Sequence, residues 1–341
     1  LAVFMVSCLF AVVELAIAES VVHRGNRGEP NTLDPHKTSN GWEASIAMEL
    51  FMGLTAFGPA GEILPGMAHS WEVSEDGMTY TWYLRDGLEW SDGTPFTSAD
   101  FVYSFRRLFD PDTASSFASL LYPIKGSKAV NTGLAKPSTL GVWADNDLTL
   151  VMELEHPAIY LPQILIHRGL PVPRHVVEKV GPRWARSGTI VGNGAFVLKE
   201  WIPQTHVRLI RNPKFYDVAS VTLEELYFHP TENLSAAIDR FRAGEIDVVP
   251  SVPRGRLDWV KDNIPGSLMV HPSLGVEFLI FNMNRPPFDD VRVRQALSMI
   301  INRLVVARSF LGGGETEAYS LVHPDVMGDL GAYHPLLLQG S

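Results

Sequence analysis

The stretch from residue 68 to residue 111, AHSWEVSEDGMTYTWYLRDGLEWSDGTPFTSADFVYSFRRLFDP, constrains the fold more than any other part of the chain. Residues 78–85 alternate large apolar side chains with smaller or polar ones, which is the period of a half-buried strand. Asp86-Gly87 predicts a tight turn, because glycine accepts the positive φ that such a turn requires. The strand is therefore expected to end at this pair.

A helix is predicted after a second cluster of turn-forming residues, S-D-G-T-P at 91–95. Thr97 has the character of a helix N-cap, with an acidic residue three positions later that completes a variant of the capping box. Apolar residues then share one helical face, and Pro111 stops the helix. The stretch offers no nucleophile, general base or phosphate-binding loop. It is expected to be scaffold, with Trp82 and Trp90 buried in a core or between domains.

The rest of the chain alternates strand and helix patterns, which predicts an α/β fold with mixed sheets. The run VEFLIFN at 276–282 is continuously apolar, as in a strand that is buried on both faces. Further strands are predicted at 149–154, 195–201, 207–211, 223–229 and 246–249. Helices are predicted at 160–167, 234–243 and 291–306.

Charge and motif content argue against several classes of function. The formal net charge of −10 disfavours nucleic acid as a partner, since the protein would repel phosphates. The 11 histidines form no HExxH, HxH or Cys-His spacing, so no metal site is predicted. There is no G-x-S-x-G elbow, and the glycine clusters at 192–194 and 312–314 lack the context of a phosphate loop. We therefore expect no catalytic residue, no metal and no cofactor.

Residues 1–18, LAVFMVSCLFAVVELAIA, predict the remnant of a signal peptide that is cleaved before Glu19. The alternative, a membrane anchor, would need about 20 apolar residues without charge, and Glu14 interrupts this run. The single cysteine, Cys8, lies in the leader, in a sequence that faintly resembles a lipobox. Because the residues after Cys8 stay apolar, a soluble secreted protein without thiol chemistry is favoured over a lipoprotein.

Motifs along the whole chain resemble those of one known family. The stretch 68–111 carries S-W-E, Y-T-W-Y-L-R, W-S-D-G-T-P, T-x-x-D-F-V-Y-S and R-x-x-D-P in that order. L-D-P-H-K precedes it at 33–37, and N-G-A-F, R-N-P-K-F-Y, A-G-E-I-D and P-F-D-D-V-R-V-R-Q-A-L follow at 193–196, 211–216, 243–247 and 287–297. This order resembles family 5 of the extracellular solute-binding proteins, the receptors of peptide-importing ABC transporters. Within the family it is most similar to the oligopeptide-binding branch.

The resemblance implies a type II periplasmic-binding-protein fold, with two ligand-binding lobes of mixed sheets and a small extra domain. The first lobe would combine residues 19–51 with residues 174–274, and the extra domain would be 52–173. Residues 275–341 would be the N-terminal part of an incomplete second lobe, because family members run on past Ser341.

The resemblance also implies ligand-binding positions. Ser39, Asn40, Gly41 and Trp42 follow L-D-P-H-K, where the oligopeptide receptors pair with the main chain of the ligand. Without the resemblance this segment is typical of a surface loop. Phe117 aligns with an aromatic residue that faces the ligand in relatives, the alternative being core packing.

Two further positions depart from the family pattern. Pro250, Ser251 and Val252 stand where relatives carry a Tyr-Asn-Asn ligand contact, which removes a ring and two amides from that wall. Ser273 stands where relatives have a tyrosine. Ser251 and Val252 are still expected to contact the ligand, but the preference for a particular ligand is left open.

The function that the resemblance implies is a monomeric periplasmic receptor, which captures extended oligopeptides and delivers them to the permease subunits of an ABC importer. One alternative is a secreted hydrolase that cleaves its bound peptide. Another is a receptor for a nickel chelate, an opine-like compound or a murein peptide. With an incomplete second lobe, residues 19–341 alone are expected to bind oligopeptides with dissociation constants weaker than about 100 micromolar.

Overall fold

The computed structural model describes residues 20–271 and 275–321, and these residues form ten strands and nine α-helices. The strands are β1 Val21–Gly25, β2 Thr55–Phe57, β3 Ile63–Pro65, β4 Ala68–Val73, β5 Thr79–Leu84, β6 Val142–Asn146, β7 Thr149–Glu153, β8 Phe196–Ile202, β9 His206–Arg211 and β10 Glu225–His229. The helices are α1 Gly41–Leu50, α2 Ser98–Phe109, α3 Ser127–Asn131, α4 Leu161–Arg168, α5 Arg174–Val180, α6 Leu234–Arg242, α7 Leu257–Asn263, α8 Val291–Ile300 and α9 Arg303–Val305. Short 3₁₀ turns lie at Pro111–Thr113, Ala118–Leu121, Pro137–Thr139, Gly181–Arg183, Val218–Ser220 and Arg254–Arg256, and a π-helical turn lies at Val306–Leu311.

Two four-stranded sheets organise the described chain as far as Pro250. One has the order β1-β10-β9-β8, with β1 parallel to β10 and the other pairs antiparallel. The other has the order β4-β5-β7-β6 and is antiparallel throughout, while β2 and β3 form a separate pair. The first sheet therefore joins the start of the described chain to β10, which lies far from it in sequence. The predicted α/β fold with mixed sheets is confirmed.

The stretch 68–111 folds as its sequence predicts. Strand β5 alternates half-buried and buried side chains and ends before Gly87, which has a φ of +67°. Helix α2 begins after Thr97, whose main-chain N–H donates to the Asp100 carboxylate at 2.8 Å. The helix ends at Phe109, before Asp110-Pro111, and its apolar face packs against β6 and β7. Trp82 and Trp90 are both fully buried, as predicted for scaffold.

The core is continuous through the elements of both sheets. Its largest fully buried side chains include Trp82, Trp90, Trp184, Phe51, Phe101, Phe105, Phe109 and Phe228. Aromatic rings meet edge to face or tilted, as rings prefer to do, for example Phe96 on Phe101 and Phe51 on Trp184. This core includes residues next to the segments that carry Ser39 to Trp42 and Phe117.

The N-G-A-F motif at 193–196 connects two segments that lie far apart in the sequence. The Asn193 side chain accepts a hydrogen bond from the N–H of Met52 at 3.0 Å and donates to the Met52 carbonyl at 2.9 Å. Gly194 donates to the Leu50 carbonyl at 2.9 Å, and a Cβ at this position would collide with the end of α1. N-G-A-F thus holds the end of α1, because glycine permits a close approach and asparagine mimics a strand partner.

The described chain divides into two compact units, with the boundary between Pro250 and Ser251. The first unit contains all ten strands and α1 to α6, and the second contains α7 to α9. The predicted partition into residues 19–51 with 174–274, 52–173 and 275–341 stays a prediction.

Three predicted elements were wrong or too long. Residues 276–282 form no strand, and Phe278, Leu279 and Ile280 are 59%, 71% and 82% exposed, because no strand of the described chain lies beside them. Residues 246–249 make only an isolated bridge, from Val248 to Arg24. The helix predicted at 291–306 ends at Ile300, where Ile301 and Asn302 leave the helical conformation and Asn302 caps a new turn.

Candidate functional site

The segment from Ser39 to Trp42 forms the start of α1. Asn40 is the N-cap, with an extended backbone at φ −143° and ψ 169°, and its Oδ1 accepts from the N–H of Glu43 at 2.9 Å. Gly41 is the first helical residue and is exposed. The polar residues at 39 and 40 therefore first serve to begin a helix, as such residues do at helix N-termini.

The side chain of Glu43 anchors this loop through hydrogen bonds. Its side chain is fully buried, and its carboxylate accepts hydrogen bonds from the Ser39 N–H at 2.8 Å and the Asn31 N–H at 2.9 Å. The side-chain amide of Asn31 adds a third bond at 3.0 Å, and the Ser39 hydroxyl a fourth at 3.4 Å. A buried carboxylate is stable only when its oxygens are paired in this way. These hydrogen bonds fix the conformation of the loop before any ligand binds.

Main-chain donors remain open at the head of α1. The N–H groups of Asn40, Gly41 and Trp42 donate to no acceptor in the part of the chain that the structure describes. The N–H of Ser39 is not available, since Glu43 accepts it. The structure therefore leaves Asn40 to Trp42, but not the Ser39 amide, as free main-chain donors.

The Trp42 side chain is half-buried and anchored. Its indole N–H donates to the Glu29 carbonyl at 3.3 Å, and its ring covers Gly28. Glu29 in turn accepts from the indole N–H of Trp201 at 2.7 Å. The ring thus contributes a fixed apolar surface beside the open donors.

The loop before Ser39 is locked by a buried charge cluster that sequence reasoning did not single out. Asp34 and Arg107 form an ion pair at 2.5 Å, and both side chains are largely buried. Arg107 also contacts Nδ1 of His36 at 2.8 Å, while Nε2 of His36 lies 3.0 Å from the Leu170 carbonyl. The indole N–H of Trp184 donates to Asp34 at 3.3 Å.

The protonation states of this cluster follow from burial and neighbouring charge. Burial, together with the charge of Arg107, lowers the pKa of His36 to about 4, so the ring is neutral at pH 7. Neutral His36 can then accept from Arg107 at Nδ1 and donate to the Leu170 carbonyl from Nε2. Burial opposes ionisation of Asp34, yet the hydrogen bonds and charge of Arg107 hold its pKa below its ordinary value.

A signal for this cluster is present in the sequence. Asp34 and His36 belong to L-D-P-H-K, and Arg107 is the arginine of R-x-x-D-P. Two motifs that stand far apart in the sequence therefore meet as one ion pair. Both motifs are part of the family resemblance, but a single sequence does not show that Asp34 and Arg107 contact each other in the folded chain.

Phe117 lies beside the same loop. It precedes the turn Ala118–Leu121 and is half-buried rather than part of the core. The guanidinium of Arg168 lies over its ring, 3.6 Å from the ring centroid. Phe117, Arg168, Pro35 and Thr38 line one small depression, so the structure brings Phe117 next to the loop that leads to Ser39.

Ser251 and Val252 lie in the second unit, are half-buried and belong to no helix or strand. Their role as ligand contacts stays a prediction. Ser273, and the predicted leader at 1–18 with Cys8, lie outside the described residues.

Within residues 20–271 and 275–321, no set of three or more His, Cys, Asp or Glu side chains is arranged to hold a metal ion. No helix in these ranges has the length and apolar content that crossing a bilayer requires.

Comparison with known proteins assigns the family. Residues 62–336 match the bacterial extracellular solute-binding proteins, family 5, middle region. The chain belongs to this family. The resemblance inferred from the motifs is thereby confirmed.

Individual relatives of this family 5 chain are periplasmic binding proteins. The probable deoxycholate-binding periplasmic protein YgiS of Escherichia coli is 37% identical over 313 residues, which cover 91% of this chain and 58% of YgiS. The periplasmic oligopeptide-binding protein OppA of Salmonella typhimurium is 36% identical over 318 residues, which cover 92% of this chain and 58% of OppA. The solved structure of the Escherichia coli murein tripeptide binding protein MppA has a TM-score of 0.84 at 36% identity, covering 90% of this chain and 60% of MppA.

The likeness to MppA confirms the predicted type II periplasmic-binding-protein fold. The family 5 chain spans a little under two thirds of the length of these relatives.

Proposed function

We propose that this family 5 chain belongs to a periplasmic receptor that captures extended oligopeptides for an ABC importer. The observation that carries the proposal is the open row of main-chain donors at Asn40, Gly41 and Trp42, held on a preformed loop. Main-chain pairing binds a peptide whatever its side chains are, which suits a receptor for varied oligopeptides. The relatives OppA and MppA, both named for peptide binding, support the same reading.

Periplasmic localisation and partnership with permease subunits are part of the proposal. They are supported by relatives that are named as periplasmic proteins. A monomer is proposed as well. No chemistry on the ligand is proposed, because the relatives are solute-binding proteins.

The first test is direct. Small molecules released when the purified full-length protein, rather than residues 19–341 alone, is denatured would be identified by mass spectrometry, and peptides of mixed sequence are the expected result. A labelled peptide incubated with the protein should be recovered intact. Recovery of cleavage products would instead favour the secreted hydrolase.

The donors in the described site limit the affinity expected for residues 19–341. Three main-chain hydrogen bonds contribute roughly 1.5–4.5 kcal/mol net at about 0.5–1.5 kcal/mol each. A dissociation constant of 100 micromolar corresponds to about 5.5 kcal/mol. Binding of tetra-alanine weaker than about 100 micromolar is therefore expected, and NMR titration at millimolar peptide is the suitable assay.

Gly41 gives a sharp test of main-chain pairing. Gly41→Pro removes one N–H at the first helical position, where proline fits well, and the extended backbone of Asn40 is the conformation that precedes proline. Loss of one hydrogen bond of about 0.5–1.5 kcal/mol should weaken tetra-alanine binding by about 2- to 12-fold. NMR titration of the variant against the parent measures this change.

Gly41→Ala is the matched control, since its Cβ meets no atom within 4 Å and its N–H is retained. The alanine variant should bind like the parent. If the proline and alanine variants bound tetra-alanine equally well, Gly41 would not be a ligand contact.

A second candidate ligand is deoxycholate, because the relative YgiS is named for it at 37% identity. A competition experiment between tetra-alanine and deoxycholate tests the two candidate ligands. If tetra-alanine displaces deoxycholate from the protein, the two ligands share a site. If only deoxycholate binds, the peptide proposal fails.

A further inference from the structure

The depression beside the predicted ligand loop combines three segments of the first unit. Pro35 and Thr38 come from the loop that leads to Ser39, Ser115 and Phe117 from the segment after α2, and Arg168 from the last position of α4. The hydrogen bond from His36 to the Leu170 carbonyl ties the first segment to the residues that follow α4. The lining is therefore held in place independently of any ligand.

Two other arginines with buried or half-buried side chains, Arg107 and Arg208, have carboxylate partners, and Arg168 differs from these two. Arg107 pairs with Asp34, and Arg208 pairs with Glu225. Arg168 has no carboxylate or other hydrogen-bond acceptor as a partner among the residues that the structure describes. The central carbon of its guanidinium lies over the Phe117 ring, 3.6 Å from the ring centroid. Stacking of this kind occupies the face of the guanidinium and leaves its N–H edges available.

A purely structural role explains only part of this arrangement. A cation at the end of α4 is favoured by the helix dipole, and that accounts for an arginine at this position. It does not account for a half-buried guanidinium that faces a depression without a counter-charge, a setting in which burial lowers the pKa of Arg168. The neighbouring groups do not compensate, because Asp34 is neutralised by Arg107 and His36 is neutral.

We propose that this depression is a subsite for a carboxylate of the bound ligand, which pairs with the free N–H edge of Arg168. A carboxylate matches the fork of a guanidinium and restores charge balance at a half-buried site. The subsite rests on the proposed function, since Thr38 in its lining directly precedes the segment that is proposed to pair with a peptide. The carboxylate is either the acidic side chain of a peptide residue or the C-terminus of the peptide.

The experiment is an NMR titration of the protein that follows the Nε–H signal of Arg168. The probes are tetra-alanine, tetra-alanine amide, and tetra-alanine peptides in which each position in turn is Glu or Gln. A side-chain subsite should give at least a fivefold preference for Glu over Gln at one position. A terminal subsite should instead give at least a fivefold loss on amidation.

Arg168→Gln should abolish that preference, and Arg168→Lys should keep part of it, since lysine retains the charge but not the fork. Arg186→Gln is the control at an exposed position. It removes another guanidinium that lies over a ring, 5.2 Å from Trp201, and changes the net charge equally. The control should discriminate between acidic and neutral peptides as the parent does.

The outcomes separate the two proposals. If tetra-alanine binds but neither acid preference nor amide sensitivity depends on Arg168, the subsite is wrong and the peptide function stands. If no peptide, acidic or neutral, perturbs the parent protein, both proposals fail. A circular dichroism spectrum of Arg168→Gln that matches the parent ensures that a lost preference reflects the subsite and not unfolding.

Discussion

At the scale of single residues, the buried side chains of Asp34, His36 and Arg107 stabilise the loop that precedes Ser39. Neutral His36 bridges the Arg107 guanidinium and the Leu170 carbonyl. Protonation of the ring would place a second cation beside Arg107 and would remove the acceptor at Nδ1. The loop that precedes Ser39 should therefore loosen in acid.

The pH dependence of stability follows from the His36 pKa of about 4 against its ordinary value of 6.5. Between these values the unfolded chain binds a proton that the folded chain does not, so the free energy of unfolding falls as the pH falls. The whole effect amounts to about 3 kcal/mol, and about 2–3 kcal/mol should be lost between pH 7 and pH 4.5. Urea unfolding at a series of pH values measures it.

His36→Gln supplies the reference for that series, because glutamine cannot titrate and can still donate to the Leu170 carbonyl. The variant will be less stable than the parent at pH 7, but its stability should depend less on pH across this window. Parallel pH curves for the parent and the variant would contradict a neutral, buried His36.

At the scale of elements, the stretch 68–111 is the part whose stability is easiest to test. Trp82 lies on β5 and is fully buried, and its indole N–H has no partner in the described chain, so packing alone holds it there. Trp82→Ala should cost about 3–5 kcal/mol of unfolding free energy through the cavity it leaves. Denaturant unfolding at neutral pH is the measurement.

Trp143→Ala is the matched control, on strand β6 of the same sheet but with the side chain 42% exposed. It should cost far less. If Trp82→Ala melted like the parent but bound tetra-alanine more weakly, Trp82 would be a ligand contact and not scaffold.

The sequence predicts elements well where local signals and burial agree. The strand, turn and capped helix of 68–111 carry their own boundaries in Gly87, Thr97 and Pro111, and the structure follows them. The prediction of a buried strand at 276–282 was wrong. The apolar pattern indicates that these side chains favour burial, but no strand of the described chain lies beside them. Patterns of this kind depend on partners that a local window does not contain.

The candidate site was predictable in position but not in detail. The family motifs located Ser39 to Trp42 and Phe117 in the sequence, and the structure places Phe117 beside the loop that precedes Ser39. That Glu43 already uses the Ser39 amide, and that Arg168 covers Phe117, are contacts that exist only in the folded chain. Neither pair carries a recognisable motif in the sequence.

At the scale of the whole molecule, the two compact units differ in how they are stabilised. The first has two four-stranded sheets over a continuous core, whereas in the described part of the second only Val260 and Ala307 are buried apolar residues. Residues 276–282 expose apolar side chains and have no strand partner in the described chain. The local free energy of opening should therefore be much lower in the second unit.

Hydrogen exchange of residues 19–341, read by mass spectrometry, tests this difference. Amides of 276–282 should exchange within seconds, whereas those of β9, hydrogen-bonded to both β8 and β10, should be protected by several orders of magnitude. Helix α6, in the first unit but at the edge of the core, serves as an internal reference of intermediate protection. Because amide protection reports hydrogen bonding directly, slow exchange across 276–282 would show that this run is paired, and the picture of one well-packed and one open unit would then be wrong.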